Sequence, residues 1–157
     1  MTVGNKSPSQ KTFPATLDHL YAMLQLICTN ALEVGFDENE LAKIELACEE
    51  ALVNIISYAY PHKKGELEID CQSTEKGIAI SLKDQGIPYD PVSHSEISKK
   101  VIDNPDPIEL RKLGGFGIFF IMTLMDEVRY TREGDSNVLL LIKNKTVPGT
   151  VAGHHVP

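Results

Sequence analysis

Two polar residues on one helical segment have the types and the spacing for chemistry. Glu50 and Asn54 lie four residues apart in a stretch whose apolar residues recur at helical spacing, so both side chains share one face of the helix. An amide oxygen is a hard, neutral ligand suited to Mg²⁺, and a carboxylate can accept the proton of an attacking hydroxyl or water. A solvated helix edge carries the same residue types, so the pair alone leaves both interpretations open.

The second stretch is DQGIP, residues 84–88, directly after an alternating segment that predicts a strand. Glycine tolerates a positive φ and proline fixes φ, so this sequence first of all predicts a turn. A fixed carboxylate at Asp84 could also accept a hydrogen bond from the exocyclic amine of adenine, while Gly86 lets the base approach the backbone. Both interpretations stay open at this point.

The third stretch, GGFG at residues 114–117, precedes an apolar run that predicts a helix. Glycines at a helix start expose backbone N–H groups at the positive end of the helix dipole, which suits a phosphate, although a flexible hinge has the same composition. The sequence contains no Walker motif G-x-x-x-x-G-K-[ST], and it lacks the H-R-D and D-F-G motifs of eukaryotic-type protein kinases.

Composition and charge exclude several classes of protein. The chain has 157 residues and a formal net charge of −7, and an acidic chain without a basic run is poorly suited to nucleic acid or an anionic membrane. No apolar run is long enough to span a bilayer and the N-terminus lacks the apolar region of a signal peptide, so we expect a cytoplasmic protein. Cys28, Cys48 and Cys71 have neither metal-site nor disulfide spacing and are expected to be small buried thiols.

Periodicity predicts helices and strands in separate blocks, which is typical of an α+β two-layer sandwich. We expect a mixed, largely antiparallel sheet with the helices on one face. The predicted helices are 16–33, 37–60 and 114–125, and the predicted strands are 11–15, 66–72, 77–84, 127–132 and 137–143. One domain over 11–145 would be flanked by flexible tails at 1–10 and 146–157, with a long polar loop at 89–113.

The three motifs together, in this order, favour the functional interpretation of each one. EALVNIISYAY, DQGIPYDP and GGFGIFFIMTLMDEVRY together resemble the bacterial anti-sigma factor serine/threonine kinases of the RsbW and SpoIIAB type, within the GHKL (Bergerat-fold) ATPase superfamily. The resemblance covers roughly residues 11–143. It implies an ATP- and Mg²⁺-dependent kinase that phosphorylates an anti-anti-sigma factor, binds a sigma factor, and forms a homodimer.

The resemblance also implies a role for each motif residue. Glu50 falls on the general base, Asn54 on the Mg²⁺ ligand, and Asp84 on the carboxylate that contacts adenine, with Gly86 beside it. Gly115 and Gly117 fall on the glycines that cradle phosphate, and residues 89–113 become a lid over ATP. Lys112 and its neighbour Arg111 lie near a cationic phosphate contact, and the register between them stays open.

Two alternative functions remain at this stage. One is an anti-sigma module that binds nucleotide without transferring phosphate, and the other is a detached histidine-kinase catalytic domain. Glu50 argues against the histidine-kinase domain, since a carboxylate base suits the activation of a hydroxyl. The intact set of Glu50, Asn54 and Asp84 argues against the module without transfer. His19 is not followed by the helix pair that would present a phospho-acceptor histidine.

Overall fold

The computed structural model describes residues 8–91 and 115–146 and confirms the expected α+β class. The strands and helices occur in separate blocks, as the periodicity predicts. In chain order they are β1 (Gln10–Pro14), a 3₁₀ turn (Leu17–His19), α1 (Leu20–Val34), α2 (Glu38–Tyr58), β2 (Glu66–Ser73), β3 (Gly77–Asp84), α3 (Gly115–Leu124), β4 (Glu127–Glu133) and β5 (Ser136–Asn144).

The five described strands form one sheet in the order β1-β2-β3-β5-β4. We expected a mixed, largely antiparallel sheet, and every pairing within the described residues is antiparallel. β5 lies between β3 and β4, which agrees with its run of five apolar residues, since an interior strand is covered on both faces more than an edge strand.

The core lies between one face of the sheet and the helices. Leu67 and Ile69 on β2, Ile80 and Leu82 on β3, and Leu141 on β5 alternate with exposed or half-buried neighbours and are fully buried. The fully buried helical side chains include Met23, Ile27, Ile44, Leu52 and Ile121. Removing each such side chain from water contributes about 1.5–3 kcal/mol. The expected two-layer sandwich, with helices on one face, is therefore confirmed.

The three cysteines are free, as expected. Cys48 and Cys71 are buried in the core, and Cys28 is half-buried. Burial raises the pKa of Cys71 to about 12, with a smaller contribution from Asp70, so this thiol is protonated at neutral pH. Protonated, buried thiols behave as small apolar side chains.

Two helix boundaries differ from the prediction by two residues or more. α1 begins at Leu20 because Thr16 Oγ1 pairs with His19 Nδ1 at 2.8 Å instead of capping a backbone N–H, and a 3₁₀ turn intervenes. α2 begins as predicted, with Asp37 Oδ1 accepting from the Glu40 N–H at 2.8 Å. It ends at Tyr58 rather than residue 60, because the Ala59 carbonyl accepts from the Ile87 N–H at 2.9 Å.

The predicted N-terminal tail is shorter than residues 1–10. Gln10 belongs to β1, the Ser9 carbonyl accepts from the Cys71 N–H at 2.7 Å, and the Pro8 carbonyl accepts from Asn30 Nδ2 at 2.9 Å. The rest of both tails and most of the predicted lid, with Lys112, lie outside the described residues. In the described part of the chain, no helix is long and apolar enough to cross a membrane.

Candidate functional site

A small pocket lies between the helices and the end of the sheet, and we call it the central pocket. Its walls are mostly apolar, with a few polar side chains directed into it, which is typical of small-molecule sites. The lining residues are Ala51, Asn54, Ile55, Tyr58, Ala59, Asp84, Tyr89, Pro91, Ile118, Ile121, Tyr130, Asn137 and Leu139. Two of the predicted site residues, Asn54 and Asp84, therefore come together here from α2 and β3.

The central pocket is narrow in this structure. Its volume of about 30 Å³ is far below the roughly 300–1,000 Å³ typical of ligand pockets, so a heterocyclic base enters only when the walls separate. Two of the walls are the stacked rings of Tyr58 and Tyr89, whose centroids lie 6.2 Å apart. Burial raises the pKa of the Tyr89 phenol, which keeps it neutral.

Asp84 ends β3 with only 4% of its surface exposed. Its Oδ1 accepts two hydrogen bonds, from the Gly86 N–H at 2.8 Å and from Asn137 Nδ2 at 2.9 Å. Within the described residues nothing donates to Oδ2, and Asp84 lines the central pocket. One carboxylate oxygen is thus fixed by the protein while the other is left for a ligand.

Asn137 is a site residue that the sequence analysis missed. It is the first core-facing residue of β5 and lies opposite Asp84 in the β3–β5 register. Its Oδ1 accepts from the Tyr130 hydroxyl and from Arg132 Nη1, while its Nδ2 donates to Asp84 and to the Ile87 carbonyl at 2.8 Å. The available signal was an amide directly before the five apolar residues 138–142 of β5.

Gly86 lies against the end of α2. A Cβ at this position would come 2.3 Å from the Ala59 carbonyl oxygen, closer than any real Cβ contact. The same carbonyl accepts a hydrogen bond from the Ile87 N–H, which joins the turn after β3 to the end of α2. Packing alone therefore requires glycine here, independently of any contact with a base.

We expect Gly86→Ala to lower the free energy of unfolding by about 1–3 kcal/mol, because the added methyl group must displace backbone. Urea denaturation of both proteins measures the difference. Gly134→Asn is the matched control, since Gly134 has φ +59°, a Cβ there would meet no atom within 4 Å, and asparagine adopts that backbone conformation. Equal stability of Gly86→Ala and the unsubstituted protein would contradict the packing argument.

Asn54 contributes the second polar group of the central pocket. Its Nδ2 is buried and has no hydrogen-bond partner within the described residues. A carboxamide can rotate by 180° to exchange Oδ1 and Nδ2, and either atom then meets a ligand rather than the protein. An unpartnered amide in the same pocket as Asp84 fits the predicted role of Asn54 as an oxygen ligand of Mg²⁺.

Glu50 lies one turn before Asn54 on α2 and does not line the central pocket. It is half-buried, and in the described part of the chain no hydrogen bond or ion pair holds its carboxylate. Its neighbour Glu49 is exposed. A half-buried carboxylate one turn from Asn54 is partly open to solvent, where a second molecule can reach it.

The start of α3 lies beside the central pocket. Gly115 is the first residue of α3 and Gly117 lies in its first turn, while Ile118 lines the pocket. The first-turn N–H groups of a helix have no acceptor within that helix, and this end carries partial positive charge. The structure therefore brings the predicted phosphate-binding glycines to the site. Lys112, predicted as a phosphate contact, lies outside the described residues.

A second, wider depression, which we call the outer groove, lies on the other side of β3. It has a volume of about 660 Å³, and its lining includes Lys63, Lys64 and Lys83 together with Glu66 and Glu68. Its lining is predominantly polar and mixes both signs of charge. The outer groove is the rival location for an anionic ligand among the described residues.

A family model and individual relatives of known name both match this chain. Residues 13–143 match the family model described as the histidine kinase-like ATPase domain. Serine-protein kinase RsbW of Halalkalibacterium halodurans is 30% identical over 140 residues, covering 89% of this chain and 84% of that protein. Serine-protein kinase RsbW of Bacillus thuringiensis (strain Al Hakam) is 26% identical over 129 residues, covering 81% and 79%.

A solved structure also matches. The histidine kinase AdeS of Acinetobacter baumannii aligns over 87% of this chain and 68% of its own, with a TM-score of 0.45 and 12% identity. That likeness is too distant to bear on the activity.

Proposed function

The chain belongs to the histidine kinase-like ATPase domain family, and we propose that it is a protein kinase that transfers the γ-phosphoryl group of ATP to a serine or threonine. The observation that carries the proposal is Asp84, whose Oδ1 is held by the protein while Oδ2 is left for a ligand in an apolar pocket. Two relatives named as serine-protein kinases support the class of reaction.

In this proposal the adenine ring occupies the central pocket. Asp84 Oδ2 accepts a hydrogen bond from the exocyclic amine, and apolar side chains such as Ile55 and Leu139 cover the faces of the ring. Entry requires walls such as Tyr58 and Tyr89 to separate, because the pocket volume of about 30 Å³ is far below that of typical ligand pockets. The ring then excludes water from the hydrogen bond to Asp84, which strengthens it.

The phosphates extend from the central pocket toward the start of α3. The first-turn N–H groups around Gly115 and Gly117 donate to phosphate oxygens, and Lys112 adds a positive charge. Asn54 supplies an amide oxygen for Mg²⁺. When bound, Mg²⁺ neutralises charge that develops on the phosphate oxygens during transfer.

Glu50 is proposed as the general base. It accepts the proton of the attacking hydroxyl while the new oxygen–phosphorus bond forms and the bond to the bridging oxygen breaks, so that ADP leaves. Its half-buried position outside the lining of the central pocket suits an acceptor hydroxyl carried by another protein. A base enclosed with the adenine ring would not meet such a hydroxyl.

We further propose that the acceptor is an anti-anti-sigma factor and that the unphosphorylated acceptor competes with a sigma factor for this protein. The motif resemblance implies these partners and a homodimer, and the cytoplasmic location is proposed from the sequence features given above. The net charge of −7 supports regulation through protein contacts rather than through DNA or RNA.

Incubation with γ-labelled ATP, Mg²⁺ and a candidate acceptor tests the proposal. We expect label on the acceptor in an acid-stable bond, as in phosphoserine and phosphothreonine. Acid-labile label on histidine would indicate a histidine kinase domain. Bound ATP without any transfer would indicate a binding module, and either result would contradict the proposal.

We expect Asn54→Ala to lose the Mg²⁺-dependent part of ATP binding and, with it, phosphoryl transfer. Calorimetric titration of ATP with Mg²⁺ and with EDTA measures this part directly. The variant in Mg²⁺ should bind like the unsubstituted protein in EDTA, while Ser57→Ala, an exposed change on the same helix, should behave normally. If Mg²⁺ raised the ATP affinity of Asn54→Ala as much as that of the unsubstituted protein, Asn54 would not be the Mg²⁺ ligand.

A further inference from the structure

We propose that Asn137 is a positioning residue that directs Asp84 toward the adenine amine and thereby sets the base selectivity of the central pocket. The inference rests on the proposed function, since it requires ATP to bind in this pocket. It adds a residue from β5 that lies outside all three motifs.

The first step is the pairing of the two side chains. Asp84 and Asn137 are opposite each other in the antiparallel register of β3 and β5, on the face that packs against the helices. Both are almost completely buried, with 4% and 6% of their surfaces exposed, and Asn137 Nδ2 lies 2.9 Å from Asp84 Oδ1. A short contact between two buried polar groups fixes both of them.

The second step is the orientation of the amide itself. Tyr130 and Arg132 both donate to Asn137 Oδ1, and Asn137 Nδ2 donates to the Ile87 carbonyl as well as to Asp84. A flipped amide would place its oxygen against the carboxylate and the carbonyl, and its NH₂ group against the guanidinium. Asn137 therefore presents a donor to Asp84 in one orientation only.

The third step concerns the carboxylate. With Oδ1 held by Asn137 and by the Gly86 N–H, the plane of the carboxylate is fixed and Oδ2 keeps one direction. Arg132 Nη1 donates to Asn137 Oδ1 at 3.2 Å and to the Gly86 carbonyl at 2.9 Å. Within the described residues it forms no ion pair with Asp84, so the carboxylate remains available for the amine of a ligand.

Holding the Asp84 carboxylate in one orientation affects mainly the binding of the ligand group that it contacts, the exocyclic amine. A carboxylate that is free to turn loses orientational freedom on binding, which weakens its hydrogen bond to the ligand. The loss applies to nucleotides that carry the exocyclic amine and not to those that lack it. A purely structural Asn137, by contrast, would affect all purine nucleotides by the same factor.

The experiment compares affinities for ATP and for purine riboside triphosphate, which lacks the amine. We expect the unsubstituted protein to prefer ATP by roughly ten- to a hundredfold, the range for a hydrogen bond to a charged group. Asn137→Leu keeps a similar size but removes the donor toward Asp84, and should reduce the preference to less than about threefold. Asn144→Leu, the same change at the far end of β5, should leave the preference intact.

A preference that stays unchanged in Asn137→Leu while the protein remains folded would overturn the inference. If that variant does not fold, Tyr130→Phe decides instead, because it removes only a hydroxyl that orients Asn137 Oδ1 and should lower the preference in the same direction. An unchanged preference in Tyr130→Phe would then overturn the inference. Failure of the unsubstituted protein to bind ATP, or to prefer it, would contradict the proposed function itself.

Discussion

Replacing Glu50 by glutamine should lower the rate of phosphoryl transfer by about 10²- to 10⁴-fold, the usual contribution of a general base. Glutamine has nearly the same shape but cannot accept the proton of the attacking hydroxyl. ATP affinity should stay nearly unchanged, because Glu50 lies outside the central pocket and a base acts in the transition state rather than on the bound substrate. Single-turnover transfer and calorimetry measure the two quantities separately.

Glu49→Gln is the matched control for this prediction. Glu49 precedes Glu50 on α2 but lies about 100° away around the helix and is exposed. The same loss of charge there should change transfer by less than about twofold, within the small effects typical of surface positions. Near-normal transfer by Glu50→Gln would mean that its carboxylate is only part of a solvated helix edge.

Replacing Asp84 by asparagine should weaken ATP binding by roughly ten- to a hundredfold. The Gly86 N–H and Asn137 Nδ2 both donate to the atom at the Oδ1 position, so an amide at residue 84 must place its oxygen there. Its NH₂ group then occupies the Oδ2 position and faces the adenine amine with a second donor. The change therefore replaces an attractive contact by a repulsive one.

Calorimetry with ATP measures the effect, and Asp135→Asn in the exposed β4–β5 turn controls for the loss of one negative charge. Urea denaturation of each variant separates a change in binding from a change in stability. Equal ATP affinity of Asp84→Asn and the unsubstituted protein would reduce Asp84 to a turn residue.

The elements that carry the motifs were predictable because their signals are local. The alternation of β3 placed its end at Asp84, and the spacing of Glu50 and Asn54 placed both on one helix. The order of the three motifs was sufficient to identify the family. The start of α2 followed from Asp37 as an N-cap, which depends only on residues within one turn.

The parts that the sequence did not predict depend on contacts between distant residues. α2 ends early because the carbonyl of Ala59 is used by Ile87, which is distant in sequence. Asn137 reaches Asp84 only through the β3–β5 register, and α3 and β4 intervene between those strands in the chain. The steric requirement for Gly86 likewise follows from the position of α2. No short stretch of the sequence signals these contacts, because each joins residues that are far apart in the chain.

The central claim is that ATP binds in the central pocket and not in the outer groove with its three lysines. Backbone hydrogen exchange with and without ATP and Mg²⁺ tests it most directly. The segments 54–58 and 118–121 contain residues that line the pocket and none that line the groove, whereas residues 63–66 line the groove and not the pocket. We predict slower exchange at 54–58 and 118–121 and unchanged exchange at 63–66. Slower exchange at 63–66 with no change at 54–58 and 118–121 would contradict the account.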